Sequence, residues 1–309
     1  MSEGFKLVQV EDNIHYIDSL RLGSHSVSGI YLVVGDGITL IEAGTTHTAP
    51  YIIESVHALG FSEKDVVRCI NTHIHLDHAG ASGWLVRRMP HMLVYAHERG
   101  LKHLADPSRL LESAQMVYGD METIIEIHGE IVPVPKENLA PVTDAELDVG
   151  AGIRLKIFEG PGHAPHHICI FEPASGCIFS GEALGHYLPE FDVITPAVAP
   201  PGFDLEASLA TANRIRALRP RTICFSQFGQ RHDPAYVFEE WERQIHGYAE
   251  LIRTELKKGL GTGEIMEMLF ESLTQDPKTQ QFSEQSLRGM LMSTVVGYYQ
   301  YFQRTGEVG

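Results

Sequence analysis

Residues His73-Ile74-His75-Leu76-Asp77-His78 put four metal-binding side chains into six positions, directly after the apolar run Val66–Asn71 and before Ala79-Gly80. Imidazole nitrogen and carboxylate oxygen are the donors that Zn²⁺ and related ions take at neutral pH. On a turn at the C-terminal end of a strand, such donors can converge without long-range folding. A hydrogen-bonded polar turn is the ordinary reading of an isolated histidine, but it accounts poorly for this spacing. The chain has 17 histidines. Of these, His15, His25, His47, His57, His91, His97, His103, His128 and His246 show no ligand spacing and read as structural or exposed.

A strand that delivers a ligand turn into a helix needs a fold in which strands and helices alternate, and the flanking sequence alternates in that way. Strands are expected at Ile14–Leu20, Ile30–Val34 and Ile38–Glu42. Gly35-Asp36-Gly37 joins the last two as a hairpin turn rather than a phosphate loop, since no helix with a lysine follows it. A helix from about Thr48 to Leu59 has Pro50 in its first turn and Gly60 at its end. Trp84–Met89 is predicted helical, Met92–Ala96 a strand, and Ser108–Ile127 one longer helix. In the second half, Ile153–Glu159, Ile168–Glu172, Cys177–Ser180 and Thr222–Phe225 read as strands, and Leu205–Leu218 as a helix capped by Asp204. The expectation is the α/β class, with two sheets packed face to face and helices outside, an αββα sandwich. From Asp233 the pattern is helical only, with helices to about Lys258, then Thr262–Leu273 and Ser283–Arg304. We therefore divide the chain into an αββα domain, residues 1–232, and a helical extension, residues 233–309, packed on it.

Charge narrows the partners. Lys and Arg number 24 against 40 Asp and Glu, a net charge of −16. That disfavours nucleic acid, which is bound by clustered cations, and anionic membrane for the same reason. No run approaches the roughly 20 apolar residues of a membrane helix. The stretch MSEGFKLVQVEDN lacks the basic and apolar regions of a secretory signal. Cys69, Cys169, Cys177 and Cys224 lie in apolar runs without a Cys-x-x-Cys pair and read as reduced core thiols. A cytoplasmic protein acting on a small molecule is the expectation, with self-association through the helical tail, as a homodimer, compatible with it.

The histidine run resembles the His-x-His-x-Asp-His hallmark of the metallo-β-lactamase-fold hydrolases. The similarity continues in Gly160-Pro161-Gly162-His163, where that family places a further histidine after a Gly/Pro turn. It extends to the strand end Leu40-Ile41-Glu42-Ala43-Gly44, to Phe179-Ser180-Gly181-Glu182 at the family's Gly-Asp step, and to Phe225-Ser226-Gln227-Phe228-Gly229 at the last strand end, about residues 14–232 in all. The resemblance implies two divalent metal ions. His73, His75 and His163 would hold the first, Asp77 and His78 would belong to the second, and Glu182 would lie between them. Glu182 replaces the family's Asp, and Gln227 replaces its final histidine with an amide oxygen or with no ligand. The second position is then oxygen-rich, favouring Fe²⁺ or Mn²⁺ beside a zinc-type first position, or it is weak or empty. Unequal loading is expected.

His232, five residues after Gln227, is a candidate for the missing nitrogen. His166 and His167 either donate to a metal-bound carboxylate or are solvated or strand-end histidines. His186 and Tyr187 lie either on the substrate's path or on a plain surface loop. Met290, Met292, Tyr298, Tyr299, Tyr301 and Phe302 are core residues by their helical spacing, or they wall an apolar pocket over the metals as such tails do in some relatives.

The resemblance implies a hydrolase in which metal-bound hydroxide attacks an ester, thioester or lactone carbonyl while Asp77 orients the nucleophile and handles the leaving group's proton. Two other classes share the cage: an iron-dependent oxidoreductase, and a degenerate member that binds a ligand without turnover. The hydrolase leads because the first set of ligands is intact.

Overall fold

Strands form where the apolar runs find cover on both faces. The structure is a computed structural model that describes residues 6–19, 28–189, 192–227, 229–275 and 284–308. One sheet has seven strands in spatial order: β1 (Lys6–Glu11), β2 (Ile14–Asp18), β3 (Gly29–Val34), β4 (Ile38–Ile41), β5 (Val66–Ile70), β6 (Leu93–Ala96) and β7 (Leu139–Pro141). β1 to β4 form an antiparallel meander, and β4 to β7 are parallel, linked by helices as parallel strands must be. These helices include α1 (Ala49–Ala58), the single turn α2 (Leu76–Ala79), α3 (Ser82–Arg88) and α4 (Glu98–Ala105).

The second sheet begins with the meander β8 (Ala145–Gly150), β9 (Ile153–Glu159), β10 (Ile168–Glu172) and β11 (Cys177–Gly181). A separate hairpin, β12 (His186–Leu188) and β13 (Val193–Thr195), follows. After α7 (Leu205–Ala217), β14 (Thr222–Phe225) joins β11 in parallel, and β15 (Gln230–Arg231) closes that edge antiparallel.

The alternation of side chains along each strand builds three apolar layers. Tyr31, Val33 and Ile70 of the first sheet meet Leu155, Ile170 and Phe179 of the second. Ile30, Leu32 and Leu40 point the other way, beneath Ile52 and Val56 of α1 and Leu85 of α3. On the far side, Phe158, Phe171 and Ile223 pack under Ile215 of α7 and under three further helices, α8 (Pro234–Lys257), α9 (Thr262–Thr274) and α10 (Glu284–Thr305). The fold is therefore the αββα sandwich expected, with the C-terminal helices on its outer face. In α10, Tyr298, Tyr301 and Phe302 are buried, and the Tyr298 hydroxyl donates to Ile245 O at 2.7 Å, so these aromatics are core. Met290 and Met292 lie partly buried at the margin of the same cluster.

The Gly35–Gly37 turn is structural. Asp36 N–H donates to Val149 O at 2.9 Å and its carboxylate accepts from Ala151 N–H at 3.0 Å, tying one sheet to the other. The segment expected as one helix over Ser108–Ile127 is two, α5 (Ser108–Tyr118) and α6 (Met121–His128). Gly119 at φ +93° stops the first, and Asp120 caps the second by accepting from Thr123 N–H at 2.7 Å. The apolar period runs on through this stop, which is why periodicity alone reads a single helix. All four cysteines are free and buried. Among the described residues no helix is long and apolar enough to cross a membrane. Leu20, His25, Phe228 and Ser283 lie outside the described residues.

Candidate metal centre

Glu42 follows β4, His73 to His78 follow β5, His163 follows β9, Glu182 follows β11, and Gln227 follows β14. Each is delivered just beyond a strand's C-terminal end, where the chain leaves the sheet and side chains are free to converge. Gly162 makes one of these turns possible. Its φ is +138°, and a Cβ there would lie 2.4 to 2.6 Å from Oγ, Cα and N of Ser208 in α7.

Four donors meet at one point. His163 Nε2 lies 3.1 Å from His75 Nδ1 and 2.6 Å from Glu182 Oε2, and His73 Nε2 lies 3.6 Å from the same oxygen. All four donor atoms fall within 4.8 Å of one another. Ligands 2.0–2.1 Å from a tetrahedral ion sit about 3.4 Å apart, so this spacing suits a single cation. A second group, Asp77, His78 and Glu182, converges within the same limit. His78 Nε2 is 3.5 Å from Asp77 Oδ2 and 3.6 Å from Glu182 Oε1.

The hydrogen bonds behind the imidazoles decide which nitrogen faces inward. The Thr72 hydroxyl has one proton, which it gives to Glu42 Oε1, so at 3.0 Å it accepts from His73 Nδ1–H and leaves a lone pair on His73 Nε2. His78 Nδ1–H donates to Glu42 Oε1 at 3.3 Å, and His163 Nδ1–H donates to Ala197 O at 3.0 Å. Both rings therefore also turn Nε2 toward the centre. His73 Nε2 and His78 Nε2 are buried with no hydrogen-bond partner, and each faces a Glu182 oxygen across 3.6 Å. A buried polar atom left unsatisfied costs about 1–3 kcal/mol. The His73 lone pair aimed at Glu182 Oε2 fits a divalent cation between the two.

The electrostatics of His73 and His75 agree with that fit. Burial pushes His75 down to about 3, with His163 adding to the effect, and burial together with three neighbouring imidazoles holds His73 well below its ordinary value. Both rings are neutral at neutral pH, the form a metal requires. Burial alone would raise Glu182, but His163 and His186 hold its carboxyl well below the usual range. For His78 and His163 burial is outweighed by facing carboxylates, Asp77 and Glu42 for the first and Glu182 for the second, which raise both, so a cation binding there displaces a proton.

All seven residues expected from the sequence reach this centre: His73, His75, Asp77, His78, His163, Glu182 and Gln227. Gln227 presents its amide nitrogen rather than its oxygen, donating to Asp77 Oδ2 at 2.9 Å and Glu182 Oε1 at 2.8 Å. His232 does not supply a missing ligand. It is exposed, with Nδ1 3.0 Å from Thr222 Oγ1 at the opposite end of β14. His167 accepts from Glu182 N–H at 3.1 Å, placing that residue's backbone rather than donating to a carboxylate. His186 is not a plain surface residue; its Nε2 sits 2.5 Å from Glu182 Oε1.

Sequence reasoning quoted Glu42 without giving it a role. It is buried in left-handed backbone at φ +73° and accepts from Thr72 N–H, Thr72 Oγ1, His78 Nδ1 and Ser226 Oγ. It is the carboxylate that orients two of the imidazoles. A lone acidic residue inside an apolar strand end was the available signal.

Comparison with known proteins agrees with this architecture. A sequence model described as the metallo-beta-lactamase superfamily matches residues 25–227. The metallo-beta-lactamase fold-containing protein ST1585 of Sulfurisphaera tokodaii is 24% identical over 275 residues, covering 84% of this chain and 93% of that one. A probable metallo-hydrolase of Methanocaldococcus jannaschii, MJ0888, is 28% identical over 182 residues, 57% of this chain and 79% of that one. Among solved structures, the metallo-beta-lactamase family protein TTHA1429 of Thermus thermophilus superposes with a TM-score of 0.67 at 21% identity, covering 98% of this chain and 94% of that one. The matched stretch carries every strand-end residue of the candidate centre from His73 to Gln227, and with the shared two-sheet fold it makes this chain a member of the metallo-β-lactamase superfamily.

Proposed function

We propose that this protein is a metal-dependent hydrolase that opens an ester, thioester or lactone bond in a small molecule. The observation that carries the reading is the convergence of His73, His75, His163 and Glu182, with a buried lone pair on His73 Nε2 that no protein donor satisfies. His73, His75, His163 and Glu182 would hold a divalent cation, which would supply Lewis acidity for activating water and polarising a carbonyl. Zinc suits this imidazole-rich set, and the oxygen-rich group of Asp77, His78 and Glu182 is the weaker position, better matched to Fe²⁺ or Mn²⁺.

The chain's own residues then have distinct tasks. Thr72, Glu42 and Ala197 O hold the imidazoles in one tautomer. Asp77 is the most exposed carboxylate of the centre, its side chain 19% accessible against 5% for Glu182. It is therefore the group placed to orient the attacking water, take its proton and pass that proton to the leaving alkoxide or thiolate. The net charge of −16 favours small acyl compounds over nucleic acids as substrates. A cytoplasmic setting, and an organisation with residues 233–309 as an extension of the catalytic domain, belong to the same reading.

The test is turnover of a panel of aryl esters, acyl thioesters and lactones by protein loaded with zinc, manganese or iron, alongside Asp77→Ala. A loss of about 10²–10⁴-fold in kcat with unchanged circular dichroism is expected for Asp77→Ala. Unimpaired turnover in that variant, or equal turnover by chelator-treated protein, would reject the proposal. Oxygen consumption by the iron form without ester turnover would point to an oxidoreductase instead.

A further inference from the structure

We propose that the amide of Gln227 and the imidazole of His186 stand in the place of a second cation, so that this centre is built for one ion. This rests on the metal-dependent reading of the first position and concerns the second. Two carboxylate oxygens, Asp77 Oδ2 and Glu182 Oε1, face that second position. Two like-charged groups that close need positive charge or N–H donors between them. Gln227 Nε2 lies 2.9 Å from the first oxygen and 2.8 Å from the second, both ordinary N–H···O lengths. A primary amide has two N–H bonds, enough to donate to both oxygens. The opposite amide orientation would set its oxygen against two carboxylate oxygens, so the hydrogen-bond network selects the donor face.

Glu182 Oε1 has a second donor in His186 Nε2, at 2.5 Å. Glu182 Oε2 points the other way, to His163 and His73. The carboxylate is thereby divided, one oxygen for the first ion and one held by the protein. His186 is not one of the donors that lie mutually within 4.8 Å in the groups around Asp77 and His78. It serves as a hydrogen-bond donor to Glu182, not as a replacement ligand.

Its placement is built into the fold. In the β12–β13 hairpin His186 pairs with Thr195, two residues before Ala197, whose carbonyl accepts from His163 Nδ1. Ser293 of α10 donates at 2.9 Å to the carbonyl of Val198, the residue after Ala197. One segment, braced by the last helix, therefore positions a first-ion imidazole and the donor that occupies the second position.

The experiment is metal analysis and calorimetric titration of the full chain with Zn²⁺, Mn²⁺ and Fe²⁺. One ion per chain is expected, with any second binding at least about 100-fold weaker. Gln227→His, and independently the near-isosteric Gln227→Glu, replace donors with a ligand and should each raise the content to two ions. His186→Ala should tighten the second binding by freeing Glu182 Oε1. Two ions of similar affinity in the parent protein would overturn the inference, as would variants at Gln227 that fold and remain at one ion. Weaker second binding in His186→Ala would overturn it as well, by making His186 a ligand. No ion bound at the first position would instead remove the metal-dependent reading on which the inference rests.

Discussion

Replacing Glu42 with Gln tests the centre at the point where its two halves are joined. The substitution preserves shape and leaves the left-handed backbone at φ +73° equally strained in both proteins, so strain cancels from the comparison. Oε1 of Glu42 accepts from the Thr72 hydroxyl, from Ser226 Oγ at 2.6 Å and from His78 Nδ1 at 3.3 Å, while Oε2 accepts from Thr72 N–H at 3.1 Å. An amide has one oxygen. If it keeps the Oε1 partners, its NH₂ group meets the Thr72 N–H, and two buried donors face each other without an acceptor. Each unsatisfied group costs about 1–3 kcal/mol, and the three surviving bonds lose their charge assistance, roughly half their strength. Losing a buried negative charge recovers part of this. The expected net destabilisation is about 3 kcal/mol, large against an ordinary domain stability of about 5–15 kcal/mol. The assay is denaturant unfolding of chelated parent and variant with the m-value compared, followed by metal competition against a chromophoric chelator. A weakening of metal binding of about 10–100-fold should accompany the loss of stability, because the bonds that set the orientation of His73 and His78 lose their charge assistance. Unfolding free energies within about 0.5 kcal/mol of each other, together with unchanged competition, would refute the assignment of Glu42 as the orienting carboxylate.

Two further perturbations separate the contributions of the fold. Gly162→Ala puts a Cβ into the first turn of α7, 2.4 Å from Ser208 Oγ, and should lower stability by more than about 3 kcal/mol while displacing His163, read as a fall in bound metal together with the melting temperature. Metal content equal to the parent's would count against the role given to that turn. Trp241→Ala removes a side chain of α8 that is 1% exposed in the core shared by the second sheet and the C-terminal helices, and should cost about 3–5 kcal/mol in one cooperative unfolding transition. An early, separate transition for α8 to α10 would show that those helices unfold on their own.

Much of this protein is legible without coordinates because the relevant information is local. Four donors within six residues after an apolar strand leave few alternatives to a ligand turn, and β9, β10 and β14 have the bounds that their apolar runs predict. His163, Glu182 and Gln227 are isolated single residues in the sequence, and only the resemblance singled them out. Among the elements not anticipated are the edge strands β1, β7, β8 and β15 and the hairpin β12–β13. These are mostly short or half-exposed, so they carry little apolar pattern, and their pairing comes from neighbours distant in sequence.

The sequence by itself determined the ligand turn, the alternation of strands and helices, and the two substituted positions, Glu182 and Gln227. Tertiary structure decided what those substitutions do. His186 and His232 look equivalent in the sequence, one lying four residues after Glu182 and the other five after Gln227. The β12–β13 hairpin turns His186 back onto Glu182, whereas β15 runs antiparallel to β14 and carries His232 to the far end of that strand, beside Thr222. The direction in which the chain returns sets where a side chain arrives, and that depends on which strand it finds to pair with. The face that Gln227 presents was likewise undecided until two carboxylates from other strands were brought against it.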